Sequence, residues 1–304
     1  MSKPRRPPRR QVDGVLLLDK PQGLTSNAAL QKARWLFNAA KGGHTGTLDP
    51  MATGLLPLCF GEATKFSSEL LDADKVYRAT FRFGITTDTA DAEGTVLETR
   101  PVDIDETRLR SALEGFVGCI EQIPPMYSAL KRDGKPLYEY ARQGVEVERA
   151  ARRVTIHALD LISFSGAEAV VDVACSKGTY VRTLAADVGA VLGCGAHLSA
   201  LRRTRIGRLQ VQDAVSLVEV EAMPLDARDA RLAPVDSLLA ELSVATLSAA
   251  ETQRVLHGQG VRWMGNTGER WRFVGDDGNF LGVGEVSPDG WLNPTRLIAF
   301  SRKL

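Results

Sequence analysis

The order in which strand and helix patterns follow one another constrains the fold of this chain more than any single motif. The segment "KVYRATFRFG" alternates, which places Tyr77 and the alternate apolar residues up to Phe83 on one face of a predicted strand. Apolar residues at helical spacing predict a helix over 181–192 that ends at Gly193. Because strands and helices do not alternate strictly, the pattern predicts an α+β fold with a mixed, mainly antiparallel sheet flanked by helices, rather than a doubly wound parallel sheet.

Composition divides the chain into three parts. The first ten residues, "MSKPRRPPRR", hold five basic residues and three prolines, so residues 1–12 are predicted to be a disordered basic arm. Residues 13–235 are predicted to form one large domain. In residues 236–304, a capping-box pattern at Ser248 and Glu251 precedes short strand patterns with "DDG" and "PDG" turns. This last part is predicted to be a small β-rich module.

The net charge of the chain gives no support for nucleic-acid binding. Of the 38 Lys and Arg residues, five lie in the arm, which leaves 33 against 37 Asp and Glu and a net charge of −4. Basic residues cluster in two stretches, 131–153 and 201–208, and only such local patches could meet a polyanion. Arg202, Arg203 and Arg205 belong to the second stretch and are expected to contribute to binding if they face the partner.

Several classes of site have no support in the sequence. The four cysteines form no CxxC pair and the four histidines have no ligand spacing such as HExxH, so we expect reduced, buried thiols and no metal site. The patterns GxxxxGK[ST] and GxGxxG are missing from the sequence, which argues against a nucleotide cofactor. No stretch resembles a secretion signal or a membrane span, so we expect a cytoplasmic protein without membrane contact.

The stretch "GGHTGTLDPMATG", residues 42–54, fits neither a helical stripe nor a strand alternation. Its four glycines and its Asp49-Pro50 step indicate a loop. An Asp-Pro step is by itself typical of an ordinary turn, so the chemistry of this loop depends on the motifs that accompany it.

Together with this loop, six further motifs resemble one family. In chain order the seven are "LLLDKPQGLTS", "GGHTGTLDPMATGLL", "GEATKF", "KVYRA", "PPMYSALKRDGKPLYEYARQG", "SKGTYVRTL" and "GAHLSALRR". The same order is found in TruB-type tRNA pseudouridine synthases of the bacterial, standalone type, which isomerise the uridine at position 55 in the TΨC loop. The resemblance covers roughly Asp13 to Arg208 and implies the pseudouridine synthase fold. The C-terminal part is compatible with the PUA-like RNA-binding module of family members.

The resemblance implies catalytic roles for three residues. Asp49 matches the family's catalytic aspartate, Arg182 matches the arginine that pairs with it, and Tyr77 matches the tyrosine that stacks on the target base. A carboxylate suits the reaction, because the C1′–N1 bond must break before C1′ joins C5. An anionic oxygen can attack C1′, attack C6, or remove the 2′ proton to give a glycal, and the sequence leaves these routes open. The reaction has no redox step or phosphate transfer, so no cofactor is expected.

Four further positions match substrate-binding residues of the family. Tyr180 and the backbone around Leu201 match positions in the base pocket. His44 matches a histidine that fills the space left in the RNA when the uridine leaves its stack. Lys20 matches a basic residue beside the pocket, which either contacts the RNA backbone or only supports the loop.

The expected partner is the TΨC stem-loop of tRNA, bound by a monomer, and three alternatives stay open. A non-catalytic tRNA-binding protein would use the same groove without needing Asp49. A guide-RNA-dependent relative would work as the catalytic subunit of a pseudouridylation particle. A nucleotide-binding enzyme would bind ATP or GTP.

Overall fold

The fold is described from a computed structural model, which covers residues 8–128 and 130–299. In chain order the strands are β1 (Gly14–Lys20), β2 (Gly42–His44), β3 (Thr53–Phe60), β4 (Lys75–Phe83), β5 (Ile85–Thr87), β6 (Val96–Thr99), β7 (Gly118–Gln122), β8 (Lys131–Arg132), β9 (Lys135–Pro136), β10 (Arg152–Phe164), β11 (Glu168–Cys175), β12 (Ala196–Ile206), β13 (Leu209–Gln210), β14 (Val215–Ser216), β15 (Ser243–Leu247), β16 (Val261–Arg262), β17 (Arg270–Gly275), β18 (Phe280–Val286) and β19 (Trp291–Leu297). The α-helices are α1 (Ser26–Leu36), α2 (Glu106–Glu114), α3 (Leu137–Ala141), α4 (Val181–Leu192), α5 (Leu217–Ala222), α6 (Leu225–Asp229) and α7 (Ala249–Leu256). Short 3₁₀ helices span Gly61–Phe66, Val211–Asp213 and Val235–Leu239.

Ten strands form the main sheet, in the order β14-β1-β3-β12-β4-β11-β10-β7, with β2 beside β3 and β13 beside β12. The pairs β1/β14 and β3/β12 are parallel and the other pairs are antiparallel. The predicted α+β fold with a mixed, mainly antiparallel sheet flanked by helices is therefore confirmed.

Helix α4 packs closely against β12. The helix buries Leu184 and Val188, and a side chain at Gly189 would come within 2.3 Å of the Ala196 backbone nitrogen. The helix ends where Gly193 adopts a left-handed conformation with φ of 83°, as the sequence predicts. This packing positions α4 on the sheet, and the site forms beside the start of the helix.

Two apolar clusters meet near the centre of the main sheet. One cluster is buried between the sheet and α4, and the other between the sheet and α1. Tyr77 in β4 and Leu201 in β12 are partly buried and contact both clusters. These two side chains therefore lie at a seam where neither helix covers the sheet completely.

The second sheet has five strands, in the order β15-β17-β18-β19-β16. It packs against the main sheet through a shared apolar cluster that includes Val15, Leu239 and Val283. A bidentate ion pair adds to this contact, because both terminal nitrogens of Arg270 donate to Glu69 at 2.9 Å. The β-rich C-terminal part predicted from the sequence is thus docked on the main sheet.

Two sequence-based expectations need correction. Residues 8–12 do not extend freely as part of a basic arm, because the Arg10 amide donates to the Asn38 carbonyl at 2.7 Å, and Val12 is buried. The Arg10 guanidinium also pairs with Asp229, which compensates its charge. Residues 1–7 lie outside the described residues. Of the four cysteines, Cys119 is exposed rather than buried.

Every helix within residues 8–128 and 130–299 is too short or too polar to pass through a bilayer.

Candidate active site

The loop that carries Asp49 connects β2 to β3. Its first end is held by the pairing of His44 with Leu58 and its second end by the pairing of Thr53 with Arg202. The Ser26 hydroxyl, at the start of α1, donates to the Leu48 carbonyl at 3.0 Å and accepts from the Leu48 amide at 2.8 Å. On the other side of Asp49, the Gly23 amide donates to the Pro50 carbonyl at 2.8 Å. The backbone on both sides of the aspartate is therefore fixed, and its side chain is held in place.

Gly54, the last residue of the motif, is needed where the loop rejoins the sheet. Its φ is +98°, and a side chain there would lie 2.3 Å from the Arg203 carbonyl oxygen in β12. Only glycine combines this conformation with so close an approach. The final glycine of "MATG" is thus explained by strand packing rather than by chemistry.

Asp49 faces Arg182, which lies in the first turn of α4. The Arg182 Nε is 3.2 Å from Asp49 Oδ2, and Nη1 is 3.3 Å from Asp91 Oδ2. The guanidinium also donates to the carbonyls of Thr89 at 3.1 Å and Tyr127 at 2.6 Å. The Arg182 side chain is only 6% exposed to solvent, whereas the Asp49 side chain is 40% exposed. Arg182 is therefore saturated with partners, and Asp49 remains accessible to a substrate.

Opposing effects set the protonation of Asp49. Burial raises the pKa of its carboxyl above the ordinary value of 3.8, and the nearby Arg182 guanidinium opposes that rise. The Asp91 carboxylate adds to the rise and the Lys20 ammonium opposes it. The arrangement holds a partly desolvated carboxylate beside one strong cation, which suits a nucleophile or base.

Asp49 lies on the border of two cavities. The smaller one measures about 250 Å³, and Tyr77, Tyr180 and Leu201 line it together with Asp49 and Arg182. Burial raises the pKa of the Tyr77 phenol, an effect that the Arg203 guanidinium opposes. The five predicted residues Asp49, Arg182, Tyr77, Tyr180 and Leu201 are thus brought together around one space.

Tyr180 is held by a side chain that the sequence reasoning missed. Buried Gln122, at the end of β7, accepts from the Tyr180 amide at 3.0 Å and donates to the Tyr180 carbonyl at 3.3 Å. Burial also raises the pKa of the Tyr180 phenol. The residue that precedes α4 is therefore fixed at its backbone.

His44 lies in the larger cavity, of about 620 Å³, on the other side of Asp49. Burial lowers the pKa of its ring, so the imidazole is neutral at pH 7. Tyr138 and Arg142 also line this cavity. The predicted His44 position is therefore next to the site but outside the space that holds Tyr77.

Lys20 is not where its predicted substrate-binding role requires. Its side chain is fully buried and lines neither cavity. Its ammonium donates to the carbonyls of Pro21 at 2.9 Å, Leu24 at 2.6 Å and Pro50 at 3.4 Å, and burial lowers its pKa to about 8. Lys20 ties the end of β1 to the Asp49 loop and cannot reach a substrate in this structure.

The basic stretch 201–208 is also only partly at the surface. Arg205 is exposed and Arg202 pairs with Asp19 at 2.7 Å, but Arg203 keeps 1% of its exposure. Arg203 therefore cannot face a tRNA as expected. Strand alternation places Arg203 on the same side as Leu201, and this pattern is the sequence signal that could have revealed its burial.

A third carboxylate approaches the site, because Glu93 lines the larger cavity beside Asp49 and Asp91. No group of three or more His, Cys, Asp or Glu side chains among residues 8–128 and 130–299 has a geometry that could hold a metal ion.

The sequence does not predict the role of Asp91, because this residue lies in the turn-rich segment "TTDTADAEG", which has no helical or strand period.

The fold is shared with solved structures of low sequence identity. A Cbf5-Nop10-Gar1 complex aligns with a TM-score of 0.71 at 22% identity, covering 93% of this chain and 84% of the matched chain. An archaeal box H/ACA sRNP Nop10-Cbf5 complex aligns with a TM-score of 0.72 at 21% identity, covering 96% and 88%. These similarities establish the architecture.

Three family models match consecutive parts of the chain, and known relatives match almost its whole length. The N-terminal domain of TruB family pseudouridylate synthases matches residues 34–181, the tRNA pseudouridylate synthase B C-terminal domain matches residues 182–240, and the pseudouridine synthase II TruB C-terminal model matches residues 243–298. A tRNA pseudouridine synthase B from Aromatoleum aromaticum is 59% identical over 98% of this chain and 96% of its own length. The enzyme of that name from Chromobacterium violaceum is 55% identical over 98% of both chains.

Fold and site together define a pseudouridine synthase, an enzyme that detaches a uracil from its ribose and rejoins it through carbon. The loop with Asp49, the arginine that faces it and the central cavity all occur in the segments that these models match. The chain belongs to the TruB family of tRNA pseudouridine synthases.

Proposed function

We propose that this chain converts uridine 55 in the TΨC loop of tRNA to pseudouridine. The observation that carries the proposal is the Asp49 carboxylate, 3.2 Å from the buried Arg182 guanidinium, at the wall of a cavity that also holds Tyr77. A single accessible carboxylate beside an aromatic ring provides what detachment and return of a base require. The name of the relatives, tRNA pseudouridine synthase B, supports tRNA as the substrate.

Asp49 and Arg182 carry the bond-breaking step. A bound base would displace water and so make an ionised Asp49 less favourable, and the Arg182 guanidinium opposes this by favouring the anion. The carboxylate then attacks C1′ or C6, or removes the 2′ proton. All three routes break the C1′–N1 bond and later join C1′ to C5.

The remaining residues hold the base and the RNA. We assign the uracil to the smaller cavity, where it stacks on Tyr77 and meets Tyr180 and the Leu201 backbone. A ring below the base stacks on uracil whichever way the base has turned. His44, in the larger cavity, takes the place of the flipped uridine in the RNA stack and so offsets part of the lost stacking.

We assign different roles in tRNA modification to two parts of the chain. We propose that residues 13–235 form the catalytic domain and that residues 236–304 form a PUA-like RNA-binding module, with residues 300–304 outside the described residues. The isomerisation adds no atoms and transfers no net electrons, so it needs no nucleotide or other cofactor. Because tRNA is used in the cytoplasm, the enzyme is proposed to act there, as a monomer.

The test uses the purified chain, unmodified tRNA transcript and no other RNA. Wild type should form pseudouridine at position 55, whereas Asp49→Asn should bind the same tRNA and form none. Retained turnover by Asp49→Asn would refute the catalytic assignment. Activity that appears only with added guide RNA and protein partners would favour the guide-dependent alternative, and binding without turnover by wild type would favour the non-catalytic one.

A further inference from the structure

Arg203 is a buried cation that the roles above do not use. It lies in β12 directly opposite Tyr77 in β4, and residues opposite each other in an antiparallel pair share a face of the sheet. Its Nε donates to the Leu55 carbonyl at 2.8 Å. Its Nη2 is buried without a hydrogen-bond partner among the described residues, although Arg203 lines the smaller cavity.

No carboxylate among residues 8–128 and 130–299 lies within ion-pair distance of Arg203. A second buried cation, Lys75, lines the same cavity, and its ammonium is used by the carbonyls of Leu70, Leu71 and Ala73. Burial lowers the pKa of both groups, to about 8 for Lys75. A buried charge without a counter-charge is costly. At Arg203 the Tyr77 phenol opposes the lowering of the pKa, but no carboxylate does, which indicates that a ligand compensates the remaining cost.

The proposed reaction supplies a transient negative charge in this cavity. When the C1′–N1 bond breaks, its electron pair stays on N1 and spreads to O2 and O4 of the uracil. C1′ is then bonded to an Asp49 oxygen or, by the glycal route, has its charge relieved by loss of the 2′ proton to Asp49. If Asp49 instead adds to C6, the electron pair of the C5–C6 double bond moves toward O4. On reattachment C5 bonds to C1′ while the bond from Asp49 to C1′ or C6 breaks or, by the glycal route, while Asp49 returns its proton to C2′. C5 then releases its proton, N1 gains one, and Asp49 is again a free carboxylate.

We propose that Arg203 provides a fixed positive charge that stabilises the anionic uracil during its detachment from the ribose. The inference rests on the proposed function. Arg182 is poorly suited to this task, because its donors are occupied by two carboxylates and two carbonyls. A buried, prepositioned donor is effective because it needs no reorganisation and little water screens it.

The test compares charge-removing and charge-keeping variants of one residue. Arg203→Met replaces the guanidinium with an apolar chain of similar length, and Arg203→Lys keeps the charge. With saturating tRNA in single-turnover experiments, Arg203→Met should form pseudouridine about 100-fold more slowly than wild type, and Arg203→Lys should lose about tenfold or less. The tRNA dissociation constant should change less than threefold in both.

Stability separates this role from a structural one. Because Arg203 has no counter-charge, Arg203→Met should melt at the wild-type temperature or above it. Arg228 is a matched control: it is partly buried and donates to the carbonyls of Leu36, Val220 and Glu221. Arg228→Met should lower the melting temperature and leave the single-turnover rate unchanged.

Three results would overturn the inference and leave the proposed function intact. The first is a wild-type rate for Arg203→Met, and the second is an equal loss of rate for Arg203→Met and Arg203→Lys. The third is a lower melting temperature for Arg203→Met together with weaker tRNA binding and an unchanged single-turnover rate. If Arg203→Met does not fold, Arg203→Lys should still exceed the neutral Arg203→Gln in rate, and equal rates would refute a role for charge. If wild type forms no pseudouridine, the proposed function itself fails.

Discussion

Two buried arginines flank the same cavity and differ in what surrounds them. Arg182 meets the carboxylates of Asp49 and Asp91 and two backbone carbonyls. Arg203 donates to the Leu55 carbonyl and lies opposite Tyr77. The first region is an ion-pair network that is complete without substrate, and the second keeps a charge that the protein does not neutralise. Removing the guanidinium should therefore destabilise the fold strongly at Arg182 and little or not at all at Arg203.

The largest effect is expected at Arg182. Arg182→Met leaves Asp91, which is 3% exposed, buried without its cation, and breaking a buried pair in this way costs about 3–5 kcal/mol. We expect a loss of that size in the free energy of unfolding, measured by urea denaturation, together with loss of pseudouridine formation. The same substitution at Arg203 should cost little or nothing in stability.

Adding a second substitution to Arg182→Met tests whether the uncompensated Asp91 carboxylate causes the loss of stability. Adding Asp91→Asn to Arg182→Met removes the uncompensated carboxylate, so part of the lost stability should return, although activity should not. If Arg182→Met costs no more than Arg203→Met, or if Asp91→Asn deepens the loss in the double variant, the contrast between the two regions is wrong.

A smaller effect concerns the pH dependence of catalysis. Asp49 must be ionised to act, and burial raises its pKa above 3.8, so the single-turnover rate should fall as the pH drops through that raised value. The Asp91 carboxylate adds to the rise. Asp91→Asn should therefore move the midpoint of the rate profile to lower pH, and a midpoint that stays or moves up would contradict the assigned electrostatics.

The raised pKa of Asp49 also makes the free energy of unfolding depend on pH. Because the folded-state pKa of Asp49 is raised, the folded chain takes up this proton before the unfolded chain does as the pH falls. Asp49→Asn mimics the protonated form and should be more stable than wild type at neutral pH. The difference in unfolding free energy between the two should shrink as the pH is lowered through the raised pKa.

The sequence predicts the scaffold of this site better than the electrostatics inside it. Strand alternation around Tyr77 and helical spacing in 181–192 depend on local period, and both elements are confirmed. Strand alternation indicates the face of β12 on which Arg203 lies, but no local pattern shows which carbonyls and cavities surround Lys20 and Arg203. Asp91 comes from a turn segment that reaches Arg182 through the tertiary fold. Long-range partners of buried charges therefore had to come from the structure.

The smallest effect is expected at the surface of β12, where the contrast between paired and unpaired arginines recurs. Arg205 is exposed and has no ion pair among the described residues, whereas Arg202 is paired with Asp19. If Arg205 meets a tRNA phosphate, Arg205→Gln should weaken binding several-fold and reduce the slope of log K against log salt by about one. The rate of pseudouridine formation in the bound complex should not change.

Arg110→Gln on α2 serves as the control, because Arg110 is also exposed but pairs with Glu106. This substitution should leave the slope of log K against log salt unchanged. Equal slopes for all three proteins would place the RNA path away from this end of β12.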